Sequence, residues 1–151
     1  RAVAAMTHLN KSARDAMVAV EATAATDITG FGLIGHAYEM AAGSGCELVF
    51  RASEIPLLEG TRELVEGGIT SRVANETGAA LEGKFVFGDA VDENTRMMLL
   101  DAQTSGGLLI SCPADRVSEL ISMLKESETP AHALVGEVRA AGDAGPRVVV
   151  N

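Results

Sequence analysis

The sequence predicts an α+β domain, layered α/β/α with a mixed sheet, and three observations carry that expectation. Segments with apolar residues at three- and four-residue steps alternate along the chain with short β-prone runs. The last two such runs flank a Gly/Pro turn and read as a terminal hairpin, which favours a mixed sheet over a purely parallel one. Apolar residues make up 47% of the chain, yet aromatics are limited to four Phe and one Tyr, with no Trp. Ala, Val, Leu, Ile and Met therefore fill the interior. A length of 151 residues suits one domain, 1–151, burying about two thirds of its unfolded surface.

The elements follow in order. Met6, Leu9, Ala13, Met17 and Val20 line one face of a first amphipathic helix starting near Val3, with Lys11, Arg14 and Asp15 opposite. Residues 22–28 form a short strand ending at a Thr-Gly-Phe-Gly turn. A helix over 32–42, carrying Ile34, Ala37, Tyr38 and Ala41, stops at Gly43-Ser44-Gly45. Cys46, Leu48 and Phe50 alternate as a strand, residues 61–66 form a short helix ended by Gly67-Gly68, and residues 69–84 lack a sustained period and are assigned as loop. Phe85-Val86-Phe87 is a strand, and Asp92 is the N-cap of a helix with Met97, Leu99 and Leu100. After an apolar strand over 108–112, Pro113 suits the opening turn of a helix faced by Val117, Leu120, Ile121 and Leu124, which frays near Ser127. Residues 132–138 and 147–150 are the strands of the closing hairpin.

Twelve Lys and Arg against 21 Asp and Glu give a formal charge of −9 without any basic run, which argues against a nucleic-acid surface. Cys46 and Cys112 sit far apart, without the C-x-x-C spacing of a zinc or redox pair. No apolar run has membrane-spanning length and no signal-peptide pattern is present, so the expected setting is the cytoplasm, with no membrane partner.

Two segments carry the chemistry. Ala25-Thr26-Asp27-Ile28-Thr29-Gly30-Phe31-Gly32-Leu33-Ile34-Gly35-His36 places a carboxylate beside three glycines where a helical pattern begins. Free N–H groups at such an entry, together with the helix dipole, suit phosphate oxygens. Asp27 suits a hard cation such as Mg²⁺, which takes one or two protein carboxylates plus waters and phosphate oxygens; the plainer alternative is a carboxylate that only caps the helix. Gly30 and Gly32 permit a tight turn, and Gly35, a poor helix former, implies close packing, expected against the sheet. His36 reads as a packing or hydrogen-bonding residue rather than a general base. The second segment, Asp101-Ala102-Gln103-Thr104-Ser105-Gly106-Gly107-Leu108-Leu109-Ile110, sets a polar turn and a Gly-Gly pair before a strand.

Together, in this order, the segments resemble the C-terminal domain of the selenophosphate synthetase (selenide, water dikinase) family, whose pattern includes T-D-[IV]-T-G-F-G-L-x-G-H and then D-x-Q-T-S-G-G-L. Either alone would suggest only the wider superfamily of aminoimidazole ribonucleotide synthetase, whose C-terminal domain has the layered architecture expected here. The resemblance implies that 1–151 is the C-terminal domain of a larger enzyme, its N-terminal ATP-binding domain and the segment bearing a catalytic Cys or selenocysteine and a Lys lying outside this chain. That enzyme uses ATP, selenide and water to make selenophosphate, AMP and orthophosphate. By resemblance Asp27 helps hold Mg²⁺ on the phosphates. Gly30, Gly32, Thr104, Ser105, Gly106 and Gly107 shape the nucleotide-facing wall, no catalytic residue is expected in this chain, and the full-length protein is a homodimer. Alternatives are a related ATP-dependent synthetase or hydrogenase-maturation domain, and a non-catalytic assembly module. Residues 68–75 read Gly-Ile-Thr-Ser-Arg-Val-Ala-Asn instead of the glycine-rich turn many relatives carry before an Arg-Asn pair, so no ligand role is assigned there.

Overall fold

The computed structural model describes residues 2–151; Arg1, the first residue of the expected domain, lies outside them. In chain order the elements are α1 (Ala2–Thr7), α2 (Lys11–Ala19), β1 (Ala24–Asp27), α3 (Gly32–Ser44), β2 (Cys46–Phe50), α4 (Thr61–Glu66), α5 (Arg72–Ala80), β3 (Phe85–Phe87), α6 (Glu93–Leu100), β4 (Leu108–Ser111), α7 (Val117–Glu126), β5 (Gly136–Ala140) and β6 (Arg147–Val150). The fold is α+β with a mixed four-stranded sheet, order β3-β6-β2-β5, and a separate antiparallel ribbon of β1 and β4.

The sheet is built around β2, whose last four residues are all buried. β6 runs parallel to β2 on one side and β5 antiparallel on the other. The expected terminal hairpin does not form. β5 and β6 are antiparallel, but β2 lies between them, because the connection over 141–146 is long enough to arch across the sheet and the most buried strand takes an inner position. The strand expected over 132–138 starts instead at Gly136, where a Cβ would stand 2.2 Å from the Val49 carbonyl oxygen.

Leu48 and Phe50 of β2, Val148 and Val150 of β6, and Phe85 and Phe87 of β3 share a core with Leu33, Ile34, Ala37 and Ala41 of α3 and Leu99 and Leu100 of α6. Ile34, Ala37 and Ala41 are wholly inaccessible, since α3 lies between the sheet and the α5–α6 pair. Near-continuous apolarity is what such a position demands. A second, smaller core joins Ala13 and Ala16 of α2 and its C-cap residue Val20 to Leu120 and Leu124 of α7, under β4.

The helical expectations are corrected at three places. The first helix is two, broken at residues 8–10. Asn10 leaves the helical path and its Nδ2 donates to the Gly106 carbonyl at 2.8 Å, an Asn side chain competing with helix continuation. Residues 72–80, expected as loop, form α5, capped by Ser71 Oγ accepting from Ala74 N. Its inward residues, Ala74 and Thr77, are too small and too polar for a hydrophobic period to register. Gly35 packs against the Phe31 Cβ and the Thr77 methyl of α5, 2.4 and 3.4 Å from where a Cβ would stand, not against the sheet. Pro113 precedes a short 3₁₀ turn, Ala114–Arg116, which leads into α7.

Asp92 is the N-cap expected, accepting from Thr95 N at 3.1 Å. The Thr95 hydroxyl (2.6 Å), then the Thr95 N–H, then Arg62 of α4 hold its carboxyl well below the usual carboxylate range. A depressed folded-state pKa stabilises above the ordinary Asp value near 4 and is lost as pH falls through the folded value. The urea midpoint should therefore drop on acidification below about pH 4, and Asp92→Asn should make that drop shallower; an unchanged acid limb would refute it.

Across the parallel pair β2–β6, the Arg147 guanidinium donates to the Glu47 carboxylate, whose side chain is only 10% exposed. Arg147→Met should cost about 2 kcal/mol in urea unfolding, discounted for the partly exposed arginine, because it strands a buried charge. Adding Glu47→Leu should recover most of that loss.

Candidate functional site

The two glycine segments lie far apart in the chain and are stitched together in the fold. β1 and β4 pair antiparallel with Asp27 opposite Leu108. The pairing continues beyond the strands: Ile28 N donates to Gly107 O at 3.0 Å and Gln103 N to Thr29 O at 2.9 Å. Gly106 lies so close to Ile28 that a Cβ would stand 2.2 Å from its carbonyl oxygen. Gly32, with φ +64°, abuts the end of α6, a Cβ there being 2.7 Å from the carbonyl oxygens of Leu100 and Asp101. These approaches require residues without side chains. Asp101 Oδ1 accepts from Ser71 N at 3.3 Å, tying the exit of α6 to the start of α5.

Asp27 ends β1 and is exposed, and its carboxylate has no hydrogen-bond or ion-pair partner among the described residues. It does not cap a helix; Phe31 occupies the N-cap position of α3. Beside it runs an open groove lined by Lys11, Arg14, Leu9, Met17 and Leu108, in which Lys11 and Arg14 both reach Asp15, at 2.9 and 3.0 Å. Among the described residues no group of three or more His, Cys, Asp or Glu gathers to hold a metal. Asp27 alone is therefore one carboxylate donor and not a self-sufficient metal site; a hard cation held there would need its other ligands from outside these residues.

At the glycine turn, Gly32 N donates to Thr29 O at 3.1 Å and Phe31 N to His36 Nε2 at 3.3 Å, so these two N–H groups are engaged within the protein. Gly30 is exposed, as are Thr104, Ser105 and Gly107, while Gly32 is buried and Gly106 half-buried. Ser105 has φ +51°, a left-handed conformation costly for a residue with a Cβ and concentrated at functional turns. The Cys112 thiol is pushed up by burial, which lowers its thiolate fraction and its fitness as a nucleophile.

His36, expected as a packing or hydrogen-bonding residue, is buried and braces the first turn. Sequence reasoning left Asn10 and Ser71, which tie into the second segment, unassigned. Asn10 left a sequence signal, as a helix-start residue inside an apparently continuous period.

A buried helix opened by a glycine turn, a ribbon joining that turn to a second one, and a mixed four-stranded sheet define an α+β domain class. The model of the family described as AIR synthase related protein, C-terminal domain, matches residues 2–149, and the chain belongs to that family. Curated relatives include a selenide, water dikinase of Caldanaerobacter subterraneus subsp. tengcongensis, 43% identical over 138 residues, covering 91% of this chain and 40% of the relative. Another, of Rhizobium meliloti, is 33% identical over 147 residues, 97% of this chain and 42% of the relative. The chain spans about two fifths of the length of the curated relatives it matches. The resemblance to the C-terminal domain of selenophosphate synthetase, drawn from the two segments, is thereby supported over nearly the whole chain.

Solved structures show the same fold. A thiamine-monophosphate kinase from Stenotrophomonas maltophilia K279a superposes with TM-score 0.60 at 19% identity, over 89% of this chain and 33% of that one. The hydrogenase maturation protein HypE in complex with ATP gives TM-score 0.60 at 17% identity, over 92% and 34%.

Proposed function

We propose that this chain is the C-terminal domain of an ATP-dependent selenide, water dikinase, which forms selenophosphate from selenide, ATP and water and releases AMP and orthophosphate. The observation that carries this reading is the union of the Asp27-to-His36 and Asp101-to-Ile110 segments, each matching the selenophosphate synthetase pattern, in one zipped pair of turns. On this reading the chain supplies no nucleophile, and the domain by itself does not turn over.

Asp27 faces outward at the rim and contributes a carboxylate to Mg²⁺. When bound, the cation neutralises charge on the phosphates during phosphoryl transfer. Gly30, Thr104, Ser105 and Gly107, all exposed, form the wall toward the nucleotide held by an N-terminal ATP-binding domain; Gly32 and Gly106 give that wall its shape. Lys11 and Arg14, in the groove beside Asp27, moderate the repulsion between a polyphosphate and a chain of charge −9. The intact enzyme is proposed as a cytoplasmic homodimer. No helix among the described residues is long and apolar enough to cross a membrane.

The test is phosphorus NMR of the intact protein with ATP, Mg²⁺ and selenide under anaerobic conditions. Selenophosphate and AMP should appear together and only with selenide. ATP consumption driven by a carboxylate or carboxamide substrate instead would favour the alternative, a related ATP-dependent synthetase or hydrogenase-maturation type of activity.

A further inference from the structure

We infer that His36 is a positioning residue, locked as the Nδ1–H tautomer, which holds the turn where the two glycine segments meet. Its residue is only 8% exposed, and each ring nitrogen faces a group whose hydrogen-bonding sense is fixed. On one side the Phe31 backbone N–H, 3.3 Å from Nε2, can only donate. On the other, the Glu39 carboxylate oxygen, 3.0 Å from Nδ1, accepts when ionised. An obligate donor facing Nε2 requires a lone pair there, and an obligate acceptor facing Nδ1 requires its proton there. The Thr29 hydroxyl, 3.1 Å from Nε2, is free to act either way; in this tautomer it shares the single Nε2 lone pair with the Phe31 N–H. The opposite tautomer would set Nε2–H against the Phe31 N–H and an Nδ1 lone pair against the Glu39 carboxylate, losing both contacts.

The hub sits at the junction of the site. The carbonyl oxygen of Thr29, the residue His36 grips by its hydroxyl, receives the N–H groups of Gln103 (2.9 Å) and Gly32 (3.1 Å). Thr29, with Ile28, therefore hangs the Gln103–Gly107 loop on the turn that follows Asp27. The Phe31 ring closes over the imidazole at 5.4 Å between centroids while remaining 53% exposed. A sequence pattern alone leaves His36 equally readable as core packing; the matched senses of its three hydrogen-bonding neighbours assign it the holding role. The importance of that turn for metal and nucleotide rests on the function proposed above, whereas the tautomer and its hydrogen bonds do not.

The experiment is a two-bond proton–nitrogen correlation spectrum of the intact protein labelled at the histidine ring nitrogens, in mildly alkaline buffer, with His36 assigned by its disappearance in His36→Gln. Nε2 should resonate in the unprotonated range and Nδ1 in the protonated range. The reverse pattern, or two averaged resonances, would overturn the inference. Amide exchange supplies a second arm. His36→Leu should expose the Phe31 N–H and speed its exchange about tenfold, whereas His36→Gln, whose carbonyl oxygen takes the acceptor's place, should stay within about twofold of the parent. Equal protection of Phe31 in all three proteins would equally overturn it, and if the Leu variant does not fold, the spectrum of the parent decides. A correct tautomer combined with an Mg²⁺ dependence indifferent to Asp27→Asn would leave His36 in its role and remove the proposed function instead.

Discussion

Asp27→Asn in the intact enzyme is expected to lower selenide-dependent ATP consumption about a hundredfold at limiting Mg²⁺, the several kcal/mol that a cation on a transferring phosphoryl group supplies. Part of the loss should return as Mg²⁺ is raised, because the remaining ligands still bind, only more weakly. The substitution is nearly isosteric and removes a charge from a side chain that is exposed and bonded to nothing among the described residues. Stability should consequently change by less than about 0.5 kcal/mol. Loss of activity in a fully folded variant isolates the metal role; unchanged kinetics at limiting Mg²⁺ would end it.

The second large effect concerns folding. Gly106→Ala drives a methyl group to 2.2 Å from the Ile28 carbonyl oxygen, and Gly32→Ala forces a side chain into φ +64° and into the carbonyl oxygens of Leu100 and Asp101 at 2.7 Å. The obstacles are backbone atoms, which cannot rotate away as a flexible side chain would, so the two turns must part and give up the Ile28–Gly107 and Gln103–Thr29 hydrogen bonds. Each substitution should cost about 3 kcal/mol or more, lowering Tm by roughly 6–12 °C for a domain of this size. Gly30→Ala and Gly107→Ala meet nothing within 4 Å and should shift stability by less than about 0.5 kcal/mol. If Gly30 and Gly107 face the nucleotide as proposed, these two variants should raise the KM for ATP while melting normally. A melting profile in which all four alanines behave alike would show that the turns are not zipped as described.

Elements with a strong, uninterrupted signal were legible. The helix from Gly32, its stop at Gly45 with φ +63°, the Asp92 cap and the α7 face all follow from local chemistry that the chain states outright. The misreadings have a common cause. α5 presents Ala74 and Thr77 to the core, and small or hydroxylated residues carry no hydrophobic period although they pack well between helices. The break at residues 8–10 is set by Asn10 reaching Gly106, a partner 96 positions away. β5 and β6 read as a hairpin because they are adjacent in sequence, but β2, the most buried strand of the sheet, lies between them and pairs with both. For the site, the chemistry-bearing residues were legible as two separate motifs. His36 was legible as a packing or hydrogen-bonding residue, but its partners were not, since a histidine's tautomer depends on which groups fold around it.

By itself the sequence determined the class of fold, the kinship carried by the two glycine segments, and the identity of Asp27 as an acidic residue at a turn. Those are properties of residue type and spacing, which local propensity and pattern express directly. Only the tertiary structure decided that the Asp27 and Asp101 segments form one surface, that Gly32 and Gly106 are required by backbone contact, and that the closing strands flank β2. Each of these depends on groups distant in the chain approaching within a few ångströms, and such approaches are chosen by burial of the whole core rather than by any stretch of it.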